Sequence, residues 1–257
     1  MPRSVIVTRL RTAGSVFAEE EARLLISAAG TPGDLTAMVD QRVAGVPLEH
    51  VLGWAEFCGL RIFVDPGVFV PRRRTEFLVR QATALARPRA VVVDLCCGSG
   101  AVGVALAAAL GRVELHAVDI DAVAVRCALR NVAAIGGHVY EGDLLEPLPS
   151  DLRGRVDVLV ANAPYVPSAS VELLPAEARL HEPRAALDGG ADGLDVQRRV
   201  IMAAAAWLAP GGHVLTETSE RQAPTLLDAI SGAGLVARVA VSPELEVSVA
   251  IGTRSGG

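Results

Sequence analysis

The chain has 257 residues, 51% of them apolar, with a formal net charge of −5 and a pI near 5.6. That is enough apolar mass for one large domain, or one large and one small, and the acid excess excludes a general nucleic-acid binder with a strongly basic surface. All 24 basic residues are arginine, which excludes a Walker-type phosphate loop with its lysine and any Schiff-base lysine.

Taken in order, Met1 to Arg9 carries arginines at 3 and 9, before a signal-peptide core can develop. Residues 15–30 read as a helix capped by Ser15, with Phe17, Leu24, Leu25 and Ala28 on one face. Thr31-Pro32-Gly33-Asp34 breaks it; a second helix is predicted over Leu35 to Ala44 and a short third over Leu48 to Gly53. Phe57 to Phe69 reads as two extended pieces around Asp65-Pro66-Gly67. The predicted organisation is a helical module over 1–54, a β-hairpin linker over 55–74 and a large domain over 75–257. Arg72-Arg73-Arg74 reads as a solvated charge run, and Thr75 as the cap of a helix from Glu76 to Ala86.

From residue 90 short β-branched runs alternate with longer helical segments. Strands are predicted at 90–95, 114–118, 138–140, 156–161, 213–217, 235–241 and 246–251, with helices at 102–110, 122–135, 196–208 and 222–233. Such alternation implies parallel strands joined by crossover helices. The fold class is therefore α/β: a Rossmann-like, doubly wound, mostly parallel sheet, with the last two strands forming an antiparallel pair at one edge. The longest apolar runs, such as Ala101 to Leu110, are too short to span a bilayer. Cys58, Cys96, Cys97 and Cys127 match neither zinc spacing nor a Cys-x-x-Cys pair. No metal and no membrane are expected, and the location is read as cytoplasmic. Cys97, Cys127 and Trp207 read as core, and His181 as a surface histidine.

Two turns carry the chemistry. The first is Asp94-Leu95-Cys96-Cys97-Gly98-Ser99-Gly100, at the end of the first predicted strand of the large domain. Gly98 and Gly100 permit a tight turn and close approach of a ligand to backbone N–H groups at a helix start. Asp119 ends the next strand, placed for a ribose diol, and Asp143 with Leu144 follows the third, placed for an adenine amine and face. Gly98 to Gly103 also satisfies the dinucleotide pattern G-x-G-x-x-G, which keeps an NAD-dependent oxidoreductase as an alternative. A carboxylate at 94 is unfavourable beside a pyrophosphate and favourable beside a cation. S-adenosylmethionine carries an ammonium and a sulfonium, and three acids at successive strand ends favour it.

The second turn is Asn162-Ala163-Pro164-Tyr165, after the apolar strand Val156 to Ala161. Ligands of open α/β sheets bind at that edge. An amide nitrogen is a poor nucleophile because its lone pair is delocalised. Two acceptors gripping its N–H groups, the Asn162 side-chain oxygen and the Ala163 carbonyl, would orient it toward a methyl carbon. Pro164 stiffens the turn, and the Tyr165 ring is placed to pack on the planar group. The same acceptors suit an exocyclic base nitrogen of DNA or RNA; the acidic pI and an aromatic content of 4% weigh against that alternative.

These motifs, in this order, resemble the HemK/PrmC family of protein-(glutamine-N5) methyltransferases, within the class I S-adenosylmethionine-dependent methyltransferases. The resemblance extends over most of the chain. It rests on Pro47 to Gly53, Glu56 to Leu60, Val64 to Arg72, the signature at 162–165, Glu182 to Gly190, and Asp192 to Asp195. It implies a glutamine side chain bound at Asn162, Ala163 and Pro164, with cofactor contacts at Cys96 to Gly100, Asp119, Asp143, Leu144 and Asn162. It implies a peptide chain release factor as partner, recognised in part by the helical module; from the charge and the few aromatics no stable nucleic-acid complex is expected, and a monomer is expected. Three positions leave the family pattern: Ala163 for the first signature proline, Cys96 for the first glycine of the cofactor turn, and Arg74 for an acid. A looser turn is expected from the first, and a narrower methionine end of the site from the second.

Overall fold

The computed structural model describes residues 1–256. Its centre is a seven-stranded sheet built from β3 (Val91–Leu95), β4 (Glu114–Asp119), β5 (His138–Glu141), β6 (Val156–Ala161), β7 (Leu208–Thr218), β8 (Val236–Ser242) and β9 (Val247–Thr253). The order is β5-β4-β3-β6-β7-β9-β8. Strands β5 to β7 run parallel, and β9 is antiparallel to both β7 and β8. Every residue of β3 and β6 is buried, as expected for parallel strands covered on both faces.

One face packs on α5 (Glu76–Leu85), α6 (Ala101–Leu110) and α7 (Ala122–Val132), through Leu78, Ala82, Leu106 and Ala128. The other packs on α9 (Asp195–Trp207) and α10 (Ala223–Gly232), which follow the short α8 (Ala176–His181) in the chain, through Ile201, Ala204, Trp207 and Leu226. The chain runs outward from β3 to β4 and β5, then crosses back to β6 on the other side of β3. That reversal makes the carboxyl ends of β3 and β6 the switch point of the sheet, where such folds bind ligands. Leu95 and Ala161 are paired across it, so residues 96 and 162 start their turns side by side.

Four helices open the chain: α1 (Arg3–Thr12), α2 (Ala18–Ala28), α3 (Pro32–Val43) and α4 (Leu48–Leu52). They share a separate small core of Ile6, Leu10, Ala18, Ala22, Leu25 and Val39. The sequence reading missed α1, whose interspersed arginines blur its apolar face, and began the next helix too early. Phe17, not Ser15, occupies the N-cap of α2, and Phe17 is exposed. The hairpin also lies one turn earlier than predicted. Strands β1 (Trp54–Phe57) and β2 (Leu60–Phe63) pair across Cys58-Gly59. Both turn residues have positive φ, at 51° and 73°, which matches the twist of a two-residue hairpin. A cysteine at the first position hid that signal. Asp65-Pro66-Gly67 is a later turn, closed by Val68 N–H donating to the Asp65 carbonyl at 3.1 Å. Among the described residues no helix is long and apolar enough to cross a membrane.

Candidate active site

The switch point opens onto a cavity of about 320 Å3. The two turns of the sequence analysis meet there. Asp94, Cys96, Cys97, Gly98, Ser99, Asp119, Asp143, Leu144, Asn162 and Pro164 all line it. Gly100, Ala163 and Tyr165 do not.

Gly100 shapes the turn from outside the cavity. It has φ 77°, and an added Cβ would lie 3.0 Å from Val132 Cγ2, against α7. Gly103 is a second position where a side chain would collide. Its Cβ would fall 3.1 Å from Asp94 Oδ2 and 3.0 Å from Leu115, and its N–H donates to that Asp94 oxygen at 2.8 Å. Asp94 is almost fully buried, and burial pushes its carboxyl up to about 7. Asp119 accepts from Gly98 N–H at 2.8 Å and from Asp121 N–H at 3.0 Å, and burial raises its pKa too.

These bonds bear on the choice between the two cofactor classes. A pyrophosphate needs free N–H groups in the glycine-rich turn. Here Cys97 N–H donates to the Val118 carbonyl, Gly98 N–H to Asp119, Gly100 N–H to the Cys97 carbonyl and Gly103 N–H to Asp94. These four amides are committed to internal acceptors, and the wall carries carboxylates. Both features disfavour a dinucleotide and fit a cationic ligand with a ribose.

Cys96 sits in the left-handed region at φ 54°. A side chain there costs roughly 1–2 kcal/mol relative to a relaxed backbone, and a glycine would avoid the strain. Burial holds its thiol protonated, well above the ordinary range. Asp143 is paired with Arg199 of α9 at 2.7 Å. Arg199 also lines the cavity; nothing local in the sequence links two residues 56 positions apart.

At the second turn, Asn162 Nδ2 donates to Thr75 Oγ1 at 3.5 Å, a long contact. Thr75 is buried and lines the cavity. It makes no side-chain cap for α5, contrary to the sequence reading. The methyl of Ala163 is buried in the core beside Leu95 and Ala161, so only its backbone can serve a ligand. Tyr165 is turned away from the cavity. Its hydroxyl donates to Glu217 Oε1 at 3.2 Å, and burial with the Glu217 charge pushes its pKa to about 12.

Of the arginine run only Arg73 is exposed without an ion pair among the described residues. Arg72 pairs with Glu182 and Arg74 with Glu217, both glutamate side chains being buried. Glu182 also accepts from Val70 N–H at 3.2 Å, which ties the linker to the loop after the signature. That loop and linker complete the cavity with Phe69, Pro71, Pro183, Ala185 and Ala186. Single-sequence reasoning did not find them, because apolar residues and prolines in loops carry no chemical signal alone. Gly189 marks how closely the loop folds back: its Cβ would stand 2.6 Å from the Pro164 carbonyl oxygen.

Residues 59–193 match the model of the methyltransferase small domain family. Over 208 residues the chain is 42% identical to the release factor glutamine methyltransferase of Geobacter sulfurreducens, covering 79% of this chain and 72% of that one. The chain belongs to the release factor glutamine methyltransferase family. Its Streptomyces coelicolor relative of the same description is 42% identical over 189 residues, 72% of this chain and 67% of that one. A Mycobacterium tuberculosis relative is 38% identical over 214 residues, 81% and 70%.

Among solved structures, a methyltransferase from Pyrococcus furiosus superposes with a TM-score of 0.59 at 16% identity, covering 77% of this chain and 90% of that one. The Thermus thermophilus 16S rRNA N2 G1207 methyltransferase, solved with AdoMet and guanosine, gives 0.56 at 21%, covering 78% and 49%. At those identities the likeness is one of fold, and it agrees with the Rossmann-like sheet read from the sequence.

Proposed function

We propose that the chain transfers a methyl group from S-adenosylmethionine to the side-chain amide nitrogen (N5) of a glutamine, in a peptide chain release factor, as a cytoplasmic monomer. One observation carries the reading: in a member of this family, Asn162 at the end of β6 and the acid-rich turn at the end of β3 share one cavity. In this reading residues 1–54 recognise the protein substrate, 55–74 link, and 75–257 hold the cofactor and the chemistry.

The residues present fit the cofactor. The committed turn amides and the carboxylates of Asp94, Asp119 and Asp143 suit a ligand with cationic and diol groups. Asp119 is placed for the ribose, and Leu144 with Asp143 for the adenine. S-adenosylmethionine, when bound, supplies an electrophilic methyl group on sulfur.

The rest is work for the chain. Asn162 turns its Nδ2 toward Thr75 Oγ1 at 3.5 Å, which leaves its Oδ1 facing the other way. Among the described residues no hydrogen bond is made to its Oδ1 or to the Ala163 carbonyl, and both are taken here as acceptors for the two N–H groups of the substrate amide. Holding that amide fixes its lone pair in the line of transfer, the main contribution a site can make to a weak nucleophile. The product nitrogen then loses a proton to water, so no side-chain base is required. Pro164 forms the rigid wall, and Tyr165 supports the turn from behind.

The test is incorporation of labelled methyl from S-adenosylmethionine into purified release factor, with the modified residue located by mass spectrometry. The expected product is N5-methylglutamine, lost in Asn162→Ala with cofactor binding retained. Label in nuclease-sensitive material, or calorimetric binding of NAD in place of S-adenosylmethionine, would overturn the proposal.

A further inference from the structure

The position where the chain departs from the resemblance by a change of charge, Arg74, lies against the second turn. Arg74 and Thr75 are consecutive residues of one short 3-10 turn, Arg73–Thr75. They reach opposite ends of the signature. Thr75 Oγ1 accepts from Asn162 Nδ2 at 3.5 Å. Arg74 lies over the ring of Tyr165, its guanidinium carbon 5.8 Å from the centroid, and its Nε donates to Glu217 Oε1 at 3.2 Å. The Tyr165 hydroxyl donates to the same oxygen at 3.2 Å. Glu217 is 1% exposed and Arg74 is 46% exposed. The guanidinium is thus the solvent-side cover of a buried carboxylate whose other oxygen, Oε2, has no partner among the described residues.

A buried carboxylate needs a compensating cation, and removing one partner leaves the charge stranded. Of the two groups on Glu217 Oε1, only Arg74 supplies that charge. The Tyr165 backbone is fixed independently, its carbonyl accepting from Gln222 Nε2 at 3.0 Å. What Arg74 adds is the seat of the ring and, through the shared 3-10 turn, the distance between Thr75 and Asn162.

We infer that Arg74 is a positioning residue for methyl transfer: it seats the Tyr165 ring on Glu217 and, through the 3-10 turn it shares with Thr75, sets the orientation of the Asn162 amide that grips the substrate. The inference rests on the methyl-transfer reading above. A carboxylate at this position would face Glu217 with like charge, whereas Arg74 meets it with opposite charge.

The experiment compares wild type with Arg74→Met and Arg74→Lys in the full chain, using purified release factor as acceptor. The Met variant keeps the stem and removes the charge; the Lys variant restores charge without the planar fork. Loss of orientation predicts that Arg74→Met lowers kcat about tenfold or more, leaves the calorimetric affinity for S-adenosylmethionine within about twofold, and is partly rescued by Arg74→Lys. The chain has only two tyrosines, so 3-fluorotyrosine gives two fluorine resonances, assigned by Tyr165→Phe. The Tyr165 resonance is expected to move in Arg74→Met while that of Tyr140 stays. A kcat within about twofold of wild type, an equal loss of kcat and cofactor affinity, or an unmoved Tyr165 resonance overturns the inference. If the wild type itself transfers no methyl to release factor, the functional reading fails, and the fluorine signal still decides whether Arg74 seats Tyr165.

Discussion

The two turns that share the cavity are held in opposite ways. The cofactor turn is held by its own neighbourhood: Asp94 takes the N–H of Gly103, nine residues on, and Asp119 takes that of Gly98, 21 residues back. The substrate turn is held from far away. Asn162 meets Thr75 across 87 residues, Tyr165 meets Glu217 across 52 and Gln222 across 57, and Arg74 reaches Glu217 across 143. Backbone-to-carboxylate bonds hold the first turn mainly from within, with Asn131 of α7 adding one bond to the Ser99 carbonyl at 2.8 Å. The second has the stiffness of whatever the linker, β7 and α10 lend it. Changes in the first should therefore register as cofactor affinity, and changes in the supports of the second as turnover.

The largest effect is expected at Asn162. Asn162→Ala removes a side-chain acceptor and the partner of Thr75. Single-turnover methyl transfer should fall about 100- to 1000-fold, the scale for losing one preorganised polar group at a reacting centre, with calorimetric cofactor affinity nearly unchanged. A comparable loss of affinity would erase the division between the two turns.

Next comes Asp94, where the effect should appear in cofactor binding and stability, not in turnover. Its carboxyl is raised by burial to about 7. A raised acid binds its proton more tightly folded than unfolded, so its contribution to stability declines as pH rises from about 4 to about 7. Cofactor binding has the opposite sign, because a cationic ligand favours the ionised carboxylate. Affinity should fall about tenfold between pH 8 and pH 6. Asp94→Asn should flatten that profile and stabilise the free protein at pH 8. Isothermal calorimetry and thermal melts across the range check both signs; a pH-independent wild type would detach Asp94 from the cofactor.

The same contrast governs what the sequence could disclose. Asp94, Gly98, Asp119 and Asn162 were legible because strand ends can be read from apolar runs and each carries its chemistry in its own side chain. The alternating pattern after residue 90 was enough for the sheet and its antiparallel edge. Arg199 on Asp143, Phe69 and Pro183 at the cavity wall, and Glu217 behind Tyr165 arrive from distant segments, and no local pattern announces them. Tyr165 itself shows the limit. An aromatic beside a polar turn suggests a platform for the substrate, and only the tertiary position of Glu217 and Arg74 shows that the ring faces away. The helix over 3–12 escaped for a related reason, since just two of its residues, Ile6 and Leu10, are buried, and only against α2 and α3.

The smallest effect is expected at Cys96, a departure from the family pattern inside the first turn, and it should stay local. Cys96 holds a left-handed backbone at φ 54°, which costs roughly 1–2 kcal/mol. Cys96→Gly relieves that strain and gives back about 0.5–1 kcal/mol through the greater freedom of glycine in the unfolded chain. The net gain should be no more than about 1 kcal/mol, seen as a rise of a few degrees at most in Tm. The neutral thiol also leaves the cavity wall, so affinity for S-adenosylmethionine should rise a few-fold. Turnover should stay within about twofold, since none of the supports of Asn162 passes through residue 96. A large change in kcat with unchanged affinity would mean that the strain at Cys96 is transmitted across the β3–β6 pairing of Leu95 with Ala161, and that the two turns act as one unit.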